Sequence, residues 1–330
     1  RYTEASRPGD FDLNGLNLSS IPGFYGDDIK RAIGEGRVYF VDHSSLQQIF
    51  ADIPGAPARN AAPRQFDKVS SGDWKYIYAP YAAFAVPPGE KALLPIAIQC
   101  GPRYEGHQLY TPNDGYSWKM ARVCVLAAHN NHHEVVSHLG LTHLLIDPIL
   151  VATRRNLHPW HPVYVLLNPH FEGTAGINIS ARNSLILPER SVDRLVGSKI
   201  ESNYPYLKQE RLNYSFRKNF PKERFKRLGV DDAGRLPAYP YREDAIRVWD
   251  AIYAWISEYV SIWYGSDADV RADNEIQNWA HEIQEQGRVK DFCVGAQGGI
   301  DSRAELIDVL TMTVFTAGPQ HAAVNFPQGN

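Results

Sequence analysis

From Arg303 the chain runs through Leu306, Ile307, Val309, Leu310, Met312, Val314 and Phe315, apolar positions that fall on every side of a helix. A helix without a polar face has to be enclosed by other elements. The chain therefore needs several layers around a central helix, and 330 residues that are 44% hydrophobic suffice to build them. A second helical stretch, Trp118 to Asn156, is interrupted only by Gly140 and Pro148, and Val123, Leu126, Ala127, Leu144, Leu145, Ile149 and Val151 recur at helical spacing. Pro148 removes a ladder donor and should bend it. Ala245 to Tyr264 predicts an amphipathic helix whose aromatic face, Trp249, Trp255 and Trp263, belongs to the core.

Strand signals are few. Arg37 to Asp42 and Leu93 to Gln99 are short and rich in β-branched or aromatic residues, with Tyr76 to Ala85 a weaker third segment. The expected fold is mainly α, with a minor antiparallel β element, in a single domain over 1–330. Residues 1–35, rich in Gly, Asn and Ser, read as its N-terminal arm. Ile53 to Pro63 reads as a loop and Asn213 to Arg235, thick with Arg and Lys, as an exposed connection.

A formal charge of -3 excludes bulk attraction to nucleic acid. Cys100, Cys124 and Cys293 are odd in number and lack metal-ligand spacing, which predicts buried free thiols. No run approaches 18 consecutive apolar residues and the start, Arg1-Tyr2-Thr3-Glu4, has no signal-peptide pattern. A soluble, cytoplasmic protein is expected.

The chemistry concentrates at two histidine pairs. His138 and His143 stand five apart, and on a regular α-helix they diverge by about 140°. A π-type turn, with i to i+5 hydrogen bonds, would bring them onto one face. His321 and Asn325 are i and i+4, already neighbours on an ordinary helix, after Gly318-Pro319. Crossing helices at these pairs would offer three imidazoles and an amide oxygen. That donor set suits iron or manganese better than structural zinc. The plain alternative, histidines hydrogen-bonded in a core, applies to His129, His132, His133, His158, His161 and His170.

The stretch His133-Glu134-Val-Val-Ser-His138-Leu-Gly-Leu-Thr-His143, then Val151 to Pro162 and Asn178-Ile-Ser-Ala181-Arg182-Asn-Ser-Leu185-Ile186, resembles the catalytic domain of the lipoxygenases. The tail from Phe315 through His321 and Asn325 to Gln328 is similar to that family's second iron helix. The resemblance implies two long inner helices that carry a non-haem iron at His138, His143, His321 and Asn325. It implies a dioxygenase that takes a hydrogen from the methylene between two cis double bonds of a polyunsaturated fatty acid, then adds O2 to give a hydroperoxide. The hydrogen acceptor is a hydroxide on the metal, so no side chain acts as general base. It further implies that Ala181 sits at the stereocontrol position, where Ala goes with S products, and that Leu185 packs on the reacting diene. Glu134 and Gln328 would orient ligands and substrate channel from behind, and peripheral membrane contact is compatible with the substrate.

Two departures from the family pattern shape the expectation. The stretch before Gly36 is too short for the family's N-terminal lipid-binding β-barrel, which is expected of a short bacterial form or of an excised catalytic segment. The family completes its iron with the carboxylate of a C-terminal isoleucine, whereas this sequence stops at Asn330. A missing C-terminal segment is expected to supply that carboxylate, since Asn330 would have to fold straight back from the ligand helix. The alternative is an inactive metal-binding or scaffold homologue. A three-histidine metal hydrolase is disfavoured, because no general base lies near either pair.

Overall fold

The computed structural model describes residues 1–3, 5–9, 11–50, 66–68, 74–101, 108–295 and 298–326. In chain order the helices are α1 (Ile29–Gly34), α2 (Gly115–His132), α3 (Leu144–Asn156), α4 (Pro162–Leu167), α5 (Thr174–Ser184), α6 (Ser191–Leu195), α7 (Ile200–Asn213), α8 (Pro221–Leu228), α9 (Pro240–Trp263), α10 (Asp267–Ala272), α11 (Asn274–His281), α12 (Arg303–Phe315) and α13 (His321–Asn325). The strands are β1 (Val38–Asp42), β2 (Phe66–Lys68), β3 (Trp74–Tyr76), β4 (Tyr81–Ala85) and β5 (Leu94–Gln99). Among the described residues the π-helical segments His133–His143, Glu282–Gln286 and Thr316–Gln320 follow α2, α11 and α12. The fold is mainly α with a minor antiparallel β element, as the sequence predicts.

Contacts divide the chain into two compact units, one of residues 1–134, 186–206 and 225–240, the other of 135–185, 207–224 and 241–330. In the first unit β4 pairs antiparallel with β1 and with β5, Val38 opposite Ala85 and Tyr81 opposite Gln99. Both faces of β4 are covered. Tyr81, Ala83 and Ala85 pack with Phe11, Leu13, Leu18, Ile21 and Phe24 of the opening segment, while Ala82 packs with Trp118 and Ala121 of α2. Two-sided burial explains why Tyr-Ala-Ala-Phe-Ala lacks the polar alternation of a half-exposed strand. The opening residues thus lie in a core, fixed also by Asp27. Burial pushes its carboxyl up, but hydrogen bonds from Arg37 and Arg31 outweigh this and leave it below its usual range.

In the second unit α12 is buried at every position from Glu305 through Phe315 except Asp308, which is half-buried. Of α3, Ile146, Ile149, Leu150, Ala152 and Thr153 are buried, and the fully buried Trp279 of α11 donates its indole N–H to the Thr153 hydroxyl at 3.0 Å. α3 continues through Pro148.

Four sequence readings change. Tyr76 to Ala85 is not one strand: β3 ends at Tyr76 and β4 starts at Tyr81. Asn213 to Arg235 contains α8, where Pro221 and Phe225, four apart, are buried while Lys222, Arg224, Lys226 and Arg227 face solvent; the charge density masked a one-sided helix. On α9 only Ala245, Trp249, Ile256 and Val260 of the predicted face are buried, and Trp255 and Trp263 are exposed. Pro112–Asn156 does meet the length and hydropathy of a membrane crossing, which counting unbroken apolar runs overlooks. More than half of its apolar window, 56%, is nevertheless buried within the chain, as in a core helix. The predicted Ile53 to Pro63 loop lies outside the described residues.

Asp273 is the polar anchor of the second unit. Its carboxylate caps α11 by accepting from the Glu275 and Ile276 N–H groups and takes the Tyr264 hydroxyl at 2.7 Å. His161 accepts from the Val163 N–H through Nδ1, capping α4, so its Nε2 carries the proton and donates to Asp273 at 3.0 Å. Burial pushes the Asp273 carboxyl up, yet the bonds from His161, Tyr264 and Ile276 win and hold it at about 2. Its depressed folded pKa means its contribution is full above the unfolded value of 3.8 and is lost as pH falls towards 2. Asp273→Asn is therefore expected to cost about 1–3 kcal/mol at neutral pH, measured by urea unfolding, with a smaller difference from the parent chain near pH 2.

Candidate metal centre

The site begins with local helix geometry. His133–His143 is a π-helix, the conformation that a five-residue ligand spacing requires. Val135, Val136, His138, Gly140 and Thr142 are buried, and the Thr142 hydroxyl donates to the His138 carbonyl, occupying an acceptor one α-turn back. A Cβ at Gly140 would come within 2.6 Å of the Leu207 side chain. Glycine thus lets α7 approach this segment closely. The buried α12 leads into the π-segment Thr316–Gln320, which contains Gly318 and Pro319, and α13 then starts at His321.

These elements bring three imidazoles together. Nε2 of His143 lies 3.2 Å from Nε2 of His138 and 3.0 Å from Nε2 of His321, and one ligand nitrogen from each lies within 4.8 Å of the others. Two nitrogens bound about 2.1 Å from one ion are separated by about 3.0 Å at a right angle and about 3.4 Å at a tetrahedral angle. The observed 3.2 and 3.0 Å fall in this range, so the three nitrogens are spaced as ligands that could share one ion. Among the described residues no other three His, Cys, Asp or Glu side chains converge this closely.

A residue whose role the sequence reading missed orients the cluster. The Asn178 amide nitrogen donates to Asp147 at 3.0 Å, which turns its oxygen to His143 Nδ1 at 2.8 Å. An amide oxygen only accepts, so Nδ1 of His143 carries the proton and Nε2 presents its lone pair to the centre. Its place at the start of the Asn-Ile-Ser-Ala motif marks Asn178 as notable but gives no sign of this contact. Burial, then the neighbouring His143 and His138, push His321 down to about 4. Near neutral pH its imidazole is the unprotonated form that a metal accepts.

Asn325 ends α13 one turn after His321 and is half-buried. Glu134 is the second residue of the π-segment, also half-buried. Ala181 in α5 and Leu185, the residue that caps its end, stand three and seven residues beyond Asn178 on the same side, and the Leu185 N–H bonds the Ala181 carbonyl. Neither is buried, and Leu185 is 42% exposed. Gln328 lies outside the described residues. A cavity of about 620 Å3 opens beside Asp147, but Arg155, Lys208, Arg211 and Glu282 in its wall make it a poor sleeve for an acyl chain.

A lipoxygenase family profile matches residues 67–330. The chain is 37% identical to linoleate 9/13-lipoxygenase of Pseudomonas aeruginosa over 97% of its own length and 45% of that protein. It is 32% identical to the human polyunsaturated fatty acid lipoxygenase ALOX15B over 97% of this chain and 45% of the other. Among solved structures, coral 8R-lipoxygenase matches with a TM-score of 0.82 and 30% identity, covering 98% of this chain and 46% of the coral chain. A deletion variant of a lipoxygenase, solved anaerobically in complex with arachidonate, matches with a TM-score of 0.84 and 31% identity over 98% of this chain and 47% of its own. The chain thus spans less than half the length of these relatives.

His143→Ala is expected to abolish iron binding, measured by titration with ferrous ion and by metal analysis; full retention would overturn the site. Asn178→Leu, which leaves all three imidazoles in place, should weaken iron binding roughly 10–100-fold.

Proposed function

The chain belongs to the lipoxygenase family, and from that premise we propose that its 330 residues form the metal-binding part of the catalytic domain of a non-haem iron dioxygenase acting on polyunsaturated fatty acids. The observation that carries this reading is the three-imidazole cluster with the His143 lone pair turned inward. Its neutral nitrogen donors fit iron, with manganese the other candidate. Iron held by His138, His143, His321 and Asn325 would supply a one-electron couple, able to oxidise the carbon between two cis double bonds before O2 adds.

The protein's own work is positional. Asp147 and Asn178 hold His143 in one tautomer, and α13 presents His321 and Asn325 one turn apart. We assign the reacting diene to the face of α5 that carries Ala181 and Leu185, because that face begins at Asn178, in contact with a ligand. The apolar contact would fix the carbon to be oxidised, the larger part of what such a reaction asks of side chains. No side chain is needed as general base, in keeping with a cluster that contains no carboxylate. The names of the relatives, one acting on linoleate and one solved with arachidonate, support the substrate class. Because those relatives are about twice as long, we propose that the remaining carboxylate ligand comes from the part of the fold these residues do not span. The setting would be the cytoplasm, with peripheral membrane contact to collect substrate.

Metal analysis together with a conjugated-diene absorbance assay on linoleate tests this reading. Iron with diene formation is the expected result, in this chain or when the remaining half of the fold is supplied. Iron without turnover under both conditions would favour a metal-binding scaffold instead. Zinc with ester hydrolysis would overturn the assignment.

A further inference from the structure

We propose that Cys100 and Cys124, in the first unit, are a redox pair that closes to a disulfide when a hydroperoxide oxidises it. Cys100 stands just past the end of β5, two residues beyond Ile98, and so lies on the same side of the extended chain. Ile98 packs with Trp118 and Ala121 of α2, and Cys100 packs against that same cluster. On α2, Cys124 comes one turn after Ala121, on the buried face that also carries Trp118 and Ala128. Strand alternation and helical period thus bring the two thiols to one place, where they are hydrogen-bonded to each other. The Tyr78 side chain makes a further hydrogen bond to Cys124.

The contact gives the two sulfurs different chemistry. The hydrogen bond from Cys100 favours the Cys124 thiolate, burial opposes it and the Tyr78 bond adds to the first, so the Cys124 thiol lies below its usual range. The same bond to Cys124, then burial, push the Cys100 thiol up. Cys124 is therefore the nucleophile and Cys100 the thiol that resolves it. Cys124 is buried, but Cys100 and Tyr78 are half-buried, which places the pair at the margin of the core, within reach of a peroxide. The Cys124 thiolate attacks the O–O bond and takes one oxygen, becoming a sulfenic acid. An alkoxide leaves and picks up the proton that Cys124 lost on ionising. The Cys100 sulfur then attacks Cys124, the S–O bond breaks, and the hydroxyl departs as water with the Cys100 proton. The two sulfurs together lose two electrons, and the O–O bond gains them. Cys293, in the second unit, donates to the Gly298 carbonyl at 2.8 Å, and burial pushes it up to about 11, so it stays a thiol. A fatty-acid hydroperoxide is the product of the activity proposed above, and only this source of oxidant rests on that reading; hydrogen peroxide carries the same O–O bond. The disulfide would tie the end of β5 to the middle of α2.

The test uses the reduced 330-residue chain, freed of metal by a chelator and exposed in separate samples to hydrogen peroxide and to linoleate hydroperoxide. The metal-free chain keeps the outcome independent of whether the protein oxygenates fatty acids. We expect the thiols titrated after denaturation to fall from three to one. The intact mass should drop by two hydrogens, peptide mapping without reductant should join Cys100 to Cys124, and dithiothreitol should restore all three thiols. Linkage in either sample supports the pair, and comparison of the two identifies the oxidant. In Cys100→Ser oxidation should stop at the Cys124 sulfenic acid, trapped with dimedone, and in Cys124→Ser the remaining Cys100 should react roughly 10-fold more slowly. Three thiols left in both samples, linkage through Cys293 or a disulfide between two chains would overturn the proposal. These readouts are made on the unsubstituted chain and decide the point even if a variant fails to fold.

Discussion

Two imidazoles five residues apart can face one ion only if the helix between them is underwound, and the second unit is organised around meeting that condition. A π-segment gives up regular α-helical packing and is rare unless its surroundings hold it. Here they do. Val135, Val136 and Thr142 are buried, the Thr142 hydroxyl takes up the His138 carbonyl, and Leu207 lies where a side chain at position 140 would stand. Gly140 thus supports the cluster without touching it, because any Cβ would force the Leu207 side chain to shift.

The same device recurs before His321. Gly318 and Pro319 sit in a π-segment at the end of a helix buried at all but one position from Glu305 through Phe315. Proline cannot donate to the ladder, and a wider turn relieves the clash of its ring with the preceding carbonyl. The burial of α12 has a matching consequence at its other end. Glu305 is itself buried, and it is neutralised by Arg217 at 3.0 Å while accepting the Val294 and Asp301 N–H groups. A central helix thus starts from an ion pair and leads, through a π-turn, to an imidazole.

What was legible in the sequence follows from which interactions are local. Helical period exposed α12, the run from Trp118 to Asn156 and most of α9, and the five-residue spacing alone called for the π-turn. Long-range contacts were not legible. Nothing near Asn178 in the chain announces that it meets His143 thirty-five residues away, and residues 1–35 gave no periodic sign that Phe11, Leu13 and Phe24 close one face of a sheet. The exposure of Trp255 and Trp263 likewise depends on which neighbours surround α9, not on its own pattern. Composition misled at α8, where Lys and Arg outnumber two buried apolar residues that decide its packing.

The proton count at the cluster sets up a conflict that a bound cation would resolve. With Nδ1–H of His143 committed to Asn178, its Nε2 offers one lone pair to two neighbours, His138 and His321, at 3.2 and 3.0 Å. Each neighbour would have to donate to that single lone pair to make a hydrogen bond, so the two compete. Protonating a second ring nitrogen instead places like charges side by side in a half-buried site, which adds to the burial that chiefly drives His321 down to about 4. Three lone pairs converging on one positive ion remove both conflicts at once, since each nitrogen then has a partner and no imidazole has to carry charge. The arrangement that Asp147 and Asn178 impose is therefore unfavourable for a purely hydrogen-bonded histidine core and favourable for a metal.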